Sequence, residues 1–466
     1  MLSNSSKTIQ FFKEITQIPR ESGNEKQISD YICKFAKERN LQYIQDKFNN
    51  VIIKKTDGKN KPIILQAHID MVCEKEENSN FDFKKDKIKV YEENGYLKAM
   101  GTTLGADNGI GVAQILNILD SDLKINIEAV FTVAEETTMI GAENIDVSML
   151  EGKQMINLDG FEEHTIIIES ASFFDVILNM KYAQFSKDTN KLYKISLTGM
   201  EGGHSGFDID KNKGNSIIEL AKLLKLLPDA RIADFIGGTK FNVIPSTAEC
   251  IVSSTAKFDE IKNIVEDFKN KQIAQYSNLN IKLEEITQPY DLISRNESKE
   301  FIEAILQFKH GVFFKNKSNQ VTTSANLGVV DLKNNIMKIG VRSSKKEEEK
   351  NILEYLKEYS NNYKFEFVIQ GSQPGFESNE NSELVQNLVK SYKKVTGKED
   401  LQLKSVHITV ECGFFKEKIE GLEVAIISPK IIGAHTVSEK VEINSVNECD
   451  KWLYEMCQNI ISEEVK

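Results

Sequence analysis

The sequence predicts an α/β protein with a mixed, mainly parallel sheet and an inserted α+β domain, and three features predict it. Short apolar strands alternate with helical stretches up to about residue 160, the order that builds parallel sheets with helices on their faces. From residue 187 a new set of strands and helices begins, long enough to fold around its own sheet. A polar, turn-rich stretch at 372–382, SQPGFESNENS, then marks a boundary before the last segment. A chain of 466 residues also exceeds what one hydrophobic core usually serves. The expected organisation is a first domain made of residues 1–186 and 376–466, with residues 187–375 inserted.

Residues 7–39 read as two helices split by IPRESGNE, where Pro19 and Gly23 break the apolar periodicity and Asn24 offers a cap. VIIKK (51–55) and PIILQA (62–67) are β-branched, apolar strands, and the second runs straight into His68, Ile69 and Asp70. GIGVAQILNIL (109–119) has helical character. INIEAVFTV (125–133) and KQMINLD (153–159) read as buried strands separated by a short helix. A further helix at 383–394 and strands near 403–410 and 422–428 complete the chain. Open sheets of this kind bind ligands beyond the carboxyl ends of their strands. His68, Glu135, Glu136 and Asp159 all fall there.

A net charge of −11 opposes nonspecific attraction to nucleic acid or anionic lipid, which leaves a small molecule as the expected partner. No apolar run approaches the roughly 20 residues that span a bilayer, and MLSNSSKTIQFF lacks the features of a secretory signal, so a cytoplasmic location is expected. Six cysteines without a CxxC pair read as reduced thiols. Among 59 basic residues only Arg20, Arg39, Arg231, Arg295 and Arg342 are arginines, so an Arg here marks a place that needs its planar fork.

In His68-Ile69-Asp70 the two polar side chains sit two apart on extended backbone and share a face. That suits a metal-binding imidazole whose other nitrogen donates to a carboxylate; the plainer reading is a surface His beside an Asp. Asp107, in the Gly-flanked LGADNG, is equally a ligand or a helix N-cap. Glu135 and Glu136 diverge on extended backbone, so one carboxylate can face a metal and the other a water, unless the pair is a solvated turn. Asp159 closes the strand MINLD, and His435 lies in the Gly-Ala turn of IIGAHTVSE. His68, Asp107, Glu136, Asp159 and His435 together form a nitrogen and oxygen donor set suited to Zn²⁺, Co²⁺ or Mn²⁺.

HID, LGADNG, AEE, LD and AHT follow one another in the order of metallopeptidase family M20. LGADNGIG, GGHSG, GGTKFNVIP, ECG and AHT resemble its aminoacyl-histidine dipeptidase branch, over essentially the whole chain. The resemblance implies a catalytic domain of the zinc-peptidase type, a lid formed by the insertion, and two divalent metal ions, zinc first, with cobalt or manganese accepted. It makes Asp107 the bridging ligand, followed by a cis peptide. His68 and Asp159 complete one ion's shell, and Glu136 and His435 the other's. Glu135 becomes the general base and Asp70 the carboxylate that orients His68.

For the lid, the resemblance implies that His204 (GGHSG), Asn242 (GGTKFNVIP) or both donate to the developing oxyanion. Arg342 in KIGVRSS is the candidate grip for a terminal carboxylate, with a structural ion pair as the alternative, and Glu411 in ECG is a candidate acceptor for a free amine. His164, His310 and His407 read as structural or surface residues. The implied activity is hydrolysis of unblocked dipeptides, Xaa-His and β-Ala-His among them, with a tripeptidase or an N-acyl amino acid amidohydrolase as the alternative. A homodimer is compatible with this reading and not required by it.

Overall fold

The computed structural model describes residues 6–183 and 191–463, and the chain divides into two compact units. One comprises Met1–Glu169, Phe376–Val406 and Val410–Lys466; the other comprises Ser170–Gly375 and His407–Thr409.

The first unit is built on a nine-stranded sheet. Its centre is four parallel neighbours in the order Asn126–Thr132, Ile63–His68, Gln154–Asn157, Glu423–Ile426. Every residue of Ile63–His68 is buried, as expected of a strand covered on both faces. The helix Ala106–Leu119 is buried at every position except Asn117, which explains why its sequence is apolar all round. Asp107 and Asn108 have non-helical dihedrals and the peptide between them is cis, so the regular helix starts after them. A four-stranded sheet in the same unit includes Ile431–Ile432 and Lys440–Glu442. Its core runs from Phe12 and Ile32 through Leu65, Ala113 and Phe131 to Leu388, Trp452 and Leu453.

The second unit has its own nine-stranded sheet, antiparallel throughout, centred on Arg231–Gly237, Val321–Asp331 and Ile336–Ser343. Its helices include Ser216–Leu224, Arg295–Gln307 and Lys346–Asn362, and its core gathers Leu220, Phe235, Phe301, Leu327 and Leu356. No described helix is long and apolar enough to cross a membrane.

Two expectations need correction. The expected break at 186/187 lies outside the described residues, and the chain divides instead after Glu169. The reason is the strand Ser172–Asn179, which pairs with Ile336–Ser343 and Glu366–Gln373 in the second unit's sheet. The second helix, Lys26–Glu38, is preceded by Glu25 rather than capped by Asn24. Glu25 is buried and its carboxylate accepts from Gly23 N–H and Ala134 N–H, so it steadies the turn that leads into Glu135.

Candidate metal centre

The parallel strands deliver the polar residues. His68 is the last residue of its strand, Asp159 lies two beyond the end of Gln154–Asn157, and Glu135 and Glu136 follow Asn126–Thr132 after a turn at Ala134, whose φ is 55°. His435, at φ 63°, sits in the turn between Ile431–Ile432 and Lys440–Glu442.

Asp107 lies between the two imidazoles. Its Oδ1 is 3.1 Å from His68 Nε2 and its Oδ2 is 2.9 Å from His435 Nε2. His68 Nε2 is also 3.6 Å from Asp159 Oδ1, and His435 Nε2 is 3.0 Å from Glu136 Oε2. The ligand atoms form three overlapping groups, each within 4.8 Å: His68, Asp107 and Asp159; Asp107, Glu136 and His435; and His68, Glu135 and Glu136. Glu135 is the carboxylate absent from both groups that contain Asp107.

Asp70 ties this cluster together. Its Oδ1 is 3.2 Å from His68 Nδ1 and accepts from Glu135 N–H at 3.1 Å; its Oδ2 accepts from Glu136 N–H at 3.2 Å and from Ser22 Oγ at 2.7 Å. Below it, Glu411 Oε2 accepts from Gln66 Nε2 at 2.7 Å and from Thr132 Oγ1 at 2.5 Å, while Oε1 faces no donor. Gln66 in turn accepts from Asn157 Nδ2, and Asn157 Oδ1 accepts from Asp159 N–H at 2.8 Å. Glu411 is only 1% exposed, and Oε2 is engaged within the protein.

The donor chemistry fits divalent cations. Asp70, Asp107, Glu135, Glu136, Asp159 and Glu411 converge on two histidines, more negative charge than the imidazoles can balance. Several of these groups therefore hold protons tightly, whereas hydrogen bonds to the imidazoles overcome burial and hold Asp107 and Asp70 below the usual carboxylate range. Burial and the charge of Asp107 push Glu136 up to about 7, and burial pushes Glu411 up to about 8. Burial also raises Glu135 well above the usual carboxylate range, with Asp159, Glu136 and Glu411 adding to it against His68. Hydrogen bonds to Asp107 and Glu136 lift His435 to about 11. Burial alone would lower His68, but Asp159, Asp107 and Asp70 outweigh it and raise the ring well above its ordinary value. Glu136 Oε1 is buried without a partner, an acceptor left for a cation.

The second unit gathers a different cluster. The Arg342 guanidinium, 4% exposed, donates to Ser205 Oγ at 3.3 Å and Thr409 Oγ1 at 3.2 Å, lies 3.5 Å from His204 Nε2, and stacks 4.5 Å from the Phe173 ring centre. Among the described residues no carboxylate pairs with it. Burial lowers it to about 10, opposed only by the charge of Asp175. Asn242 joins the same region through its backbone, where its carbonyl accepts from Ser205 N–H at 2.9 Å. His407 lies here too, its Nε2 2.7 Å from Ser324 Oγ and its Nδ1 buried without a partner; burial, Arg342 and His204 lower it to about 3. His310 accepts from Leu327 N–H and His164 meets Tyr392 Oη.

Sequence reasoning missed Gln66 and Asn157, and it read as structural or surface the His407 whose Nε2 lies 2.7 Å from Ser324 Oγ. For the first two a signal existed: each sits two residues before a candidate ligand, His68 and Asp159, and so shares that ligand's face of the strand. No spacing marks His407, because its partners Ser324 and Arg342 are far away in the chain.

Residues 64–459 match the model of peptidase family M20/M25/M40. The chain is 31% identical to the cytosol non-specific dipeptidase of Escherichia coli (strain K12), over 96% of each chain. Its fold is similar to the crystal structure of aminoacylhistidine dipeptidase from Vibrio alginolyticus, with a TM-score of 0.83 and 28% identity over 98% of this chain and 97% of that one. A tripeptidase from Staphylococcus aureus shares the fold at a TM-score of 0.52 and 16% identity, over 98% of this chain and 99% of that one.

Proposed function

This chain belongs to peptidase family M20/M25/M40, a family of peptide-bond hydrolases, and from that premise we propose that it is a two-metal dipeptidase of the cytosol acting on unblocked dipeptides, Xaa-His among them. One observation carries the reading: the two oxygens of Asp107 face two different imidazoles, at 3.1 and 2.9 Å, the arrangement of a carboxylate shared between two cations. His68 and Asp159 would hold one ion with Asp107, and Glu136 and His435 the other. Zinc suits this donor set, and cobalt or manganese is accepted by it. When bound, such a pair lowers the pKa of a bound water and polarises a carbonyl.

The remaining work falls to the chain's own side chains. Glu135 takes a proton from the attacking water and returns it to the leaving nitrogen, a role that suits a carboxylate whose surroundings raise its proton affinity. Asp70 fixes the base through its backbone N–H and fixes the tautomer of His68 through Nδ1. Arg342, a buried cation with neutral partners, grips the substrate's terminal carboxylate. His204 and Asn242 are assigned the oxyanion. Glu411 is assigned the substrate's amine through the oxygen that has no donor, Oε1.

The test is metal analysis combined with hydrolysis of Ala-His, β-Ala-His, other dipeptides, tripeptides and N-acetyl amino acids, before and after chelation. Dipeptides should be cleaved, chelation should stop the reaction and metal should restore it. The reading fails if the metal-loaded protein cleaves no dipeptide, or prefers acetylated amino acids or tripeptides.

A further inference from the structure

Asp107 can serve two cations only if both histidine-bearing segments stay in register with its loop, and two buried side chains outside the ligand set hold that register. Glu439 is 3% exposed and stands four residues after His435. Its Oε2 accepts from Leu104 N–H and Gly105 N–H, both at 2.8 Å, and its Oε1 accepts from Asp107 N–H at 3.2 Å. One carboxylate therefore ties the turn of His435 to the backbone of the Asp107 loop. Arg20, 2% exposed, ties the other side of the cluster. Its Nη1 donates to Ile69 O at 3.2 Å and Asp70 O at 2.8 Å, its Nη2 donates to Gly105 O, and its own carbonyl accepts from Met71 N–H at 3.1 Å. The segment that follows His68 is thus fastened to the same loop.

The loop is shaped for this guanidinium. Gly105 has a φ of 69°, and a Cβ there would run into Arg20 Nη2; a Cβ at Gly109 would lie 2.7 Å from the same nitrogen. The charge that most offsets the burial of Arg20 is that of Glu439. This is one of only five arginines in the chain, placed where a planar fork must reach three carbonyls on two segments.

We propose that Glu439 and Arg20 are positioning residues that lock the His435 turn and the His68 segment onto the Asp107 loop, and so fix the register of the two metal half-sites. The inference rests on the proposed two-metal reading. It also orders the half-sites. His68, Asp107 and Asp159 are mostly enclosed, whereas the His435 side chain is 48% exposed, so a loosened loop gives up the His435 half-site first.

The test is Glu439→Gln, because an amide has one acceptor oxygen and cannot accept from three backbone donors. Stoichiometry and affinity for zinc and for cobalt are measured by equilibrium dialysis with elemental analysis, and the melting temperature is taken with and without metal. The expected result is one ion bound as in the wild type and a second weakened about 10- to 100-fold, with a smaller rise in melting temperature on adding metal. Arg20→Lys should show the same pattern. A folded Glu439→Gln that binds two ions with wild-type affinity overturns the proposal. If that variant does not fold, Glu439→Asp and Arg20→Lys carry the same readout, and failure of these to fold as well overturns it in favour of a purely structural role. A wild type that binds fewer than two ions overturns the two-metal reading itself, before any variant is compared.

Discussion

At the scale of single residues, the proposed roles separate groups that hold a cation from a group that reacts. Asp107, Glu136 and Asp159 face imidazole nitrogens, while Glu135 is fixed by its backbone N–H to Asp70 and belongs to neither group built on Asp107. Glu135→Gln removes the proton acceptor and preserves shape, so kcat should fall about 10²- to 10⁴-fold with metal content unchanged; near-normal turnover in a metal-replete variant would remove Glu135 from the mechanism. Arg342 makes a second prediction, because its buried charge has hydroxyls, an imidazole and a ring as partners. Arg342→Met should cost on the order of 2–5 kcal/mol for a substrate with a free carboxylate, roughly 30- to several-thousand-fold in kcat/KM. Dipeptide amides should lose far less, and an equal loss for both would show that Arg342 does not read the carboxylate.

At the scale of elements, the strands and the ends that bear the candidate ligands were legible because short continuous apolar runs end abruptly in polar residues, as PIILQA does at His68 and MINL at Asp159. What was not legible depends on partners distant in sequence. Asn24 looks like a cap, but Glu25 occupies the position because its carboxylate reaches Ala134 across 109 residues. The strand Ser172–Asn179 lies in the stretch that the sequence places in the first domain, and only its pairing partners at 336–343 and 366–373 assign it to the second unit. The last helix, Ile443–Glu463, shows a similar long-range dependence. Its Asp450 accepts from Gln114 Nε2 at 3.0 Å and is assisted by Thr8, so it joins three helices of the first unit without a cation. Burial pushes this acid from 3.8 up to about 6. An acid with a raised folded pKa costs nothing when both states are protonated, and the cost grows as the pH rises from about 4 through 6. Asp450→Asn should therefore leave stability unchanged below pH 4 and add on the order of 1–3 kcal/mol above pH 7. Denaturant melts at pH 4 and 8 check this, and equal effects at both would mean that the carboxylate is not strained.

At the scale of the whole molecule, the two units hold separate cores, one containing Phe12, Phe131 and Trp452 and the other Phe235, Phe301 and Tyr359, and the candidate ligands all belong to the first. Two cores allow two cooperative transitions, and a ligand stabilises only the unit that binds it. The single tryptophan makes the distinction measurable, because Trp452 is 3% exposed in the first core and donates to Leu388 O at 2.9 Å. The second unit packs Tyr355, Tyr359 and Tyr363 together, while in the first Tyr392 packs against Trp452 itself. Metal at a thousand times its dissociation constant adds about 4 kcal/mol to the unit that binds it. Chelation should therefore lower the melting temperature reported by tryptophan fluorescence, while a second calorimetric transition stays in place. If both signals shift together on chelation, the cores unfold as one cooperative body, and the metal stabilises the whole chain rather than the unit that carries its ligands.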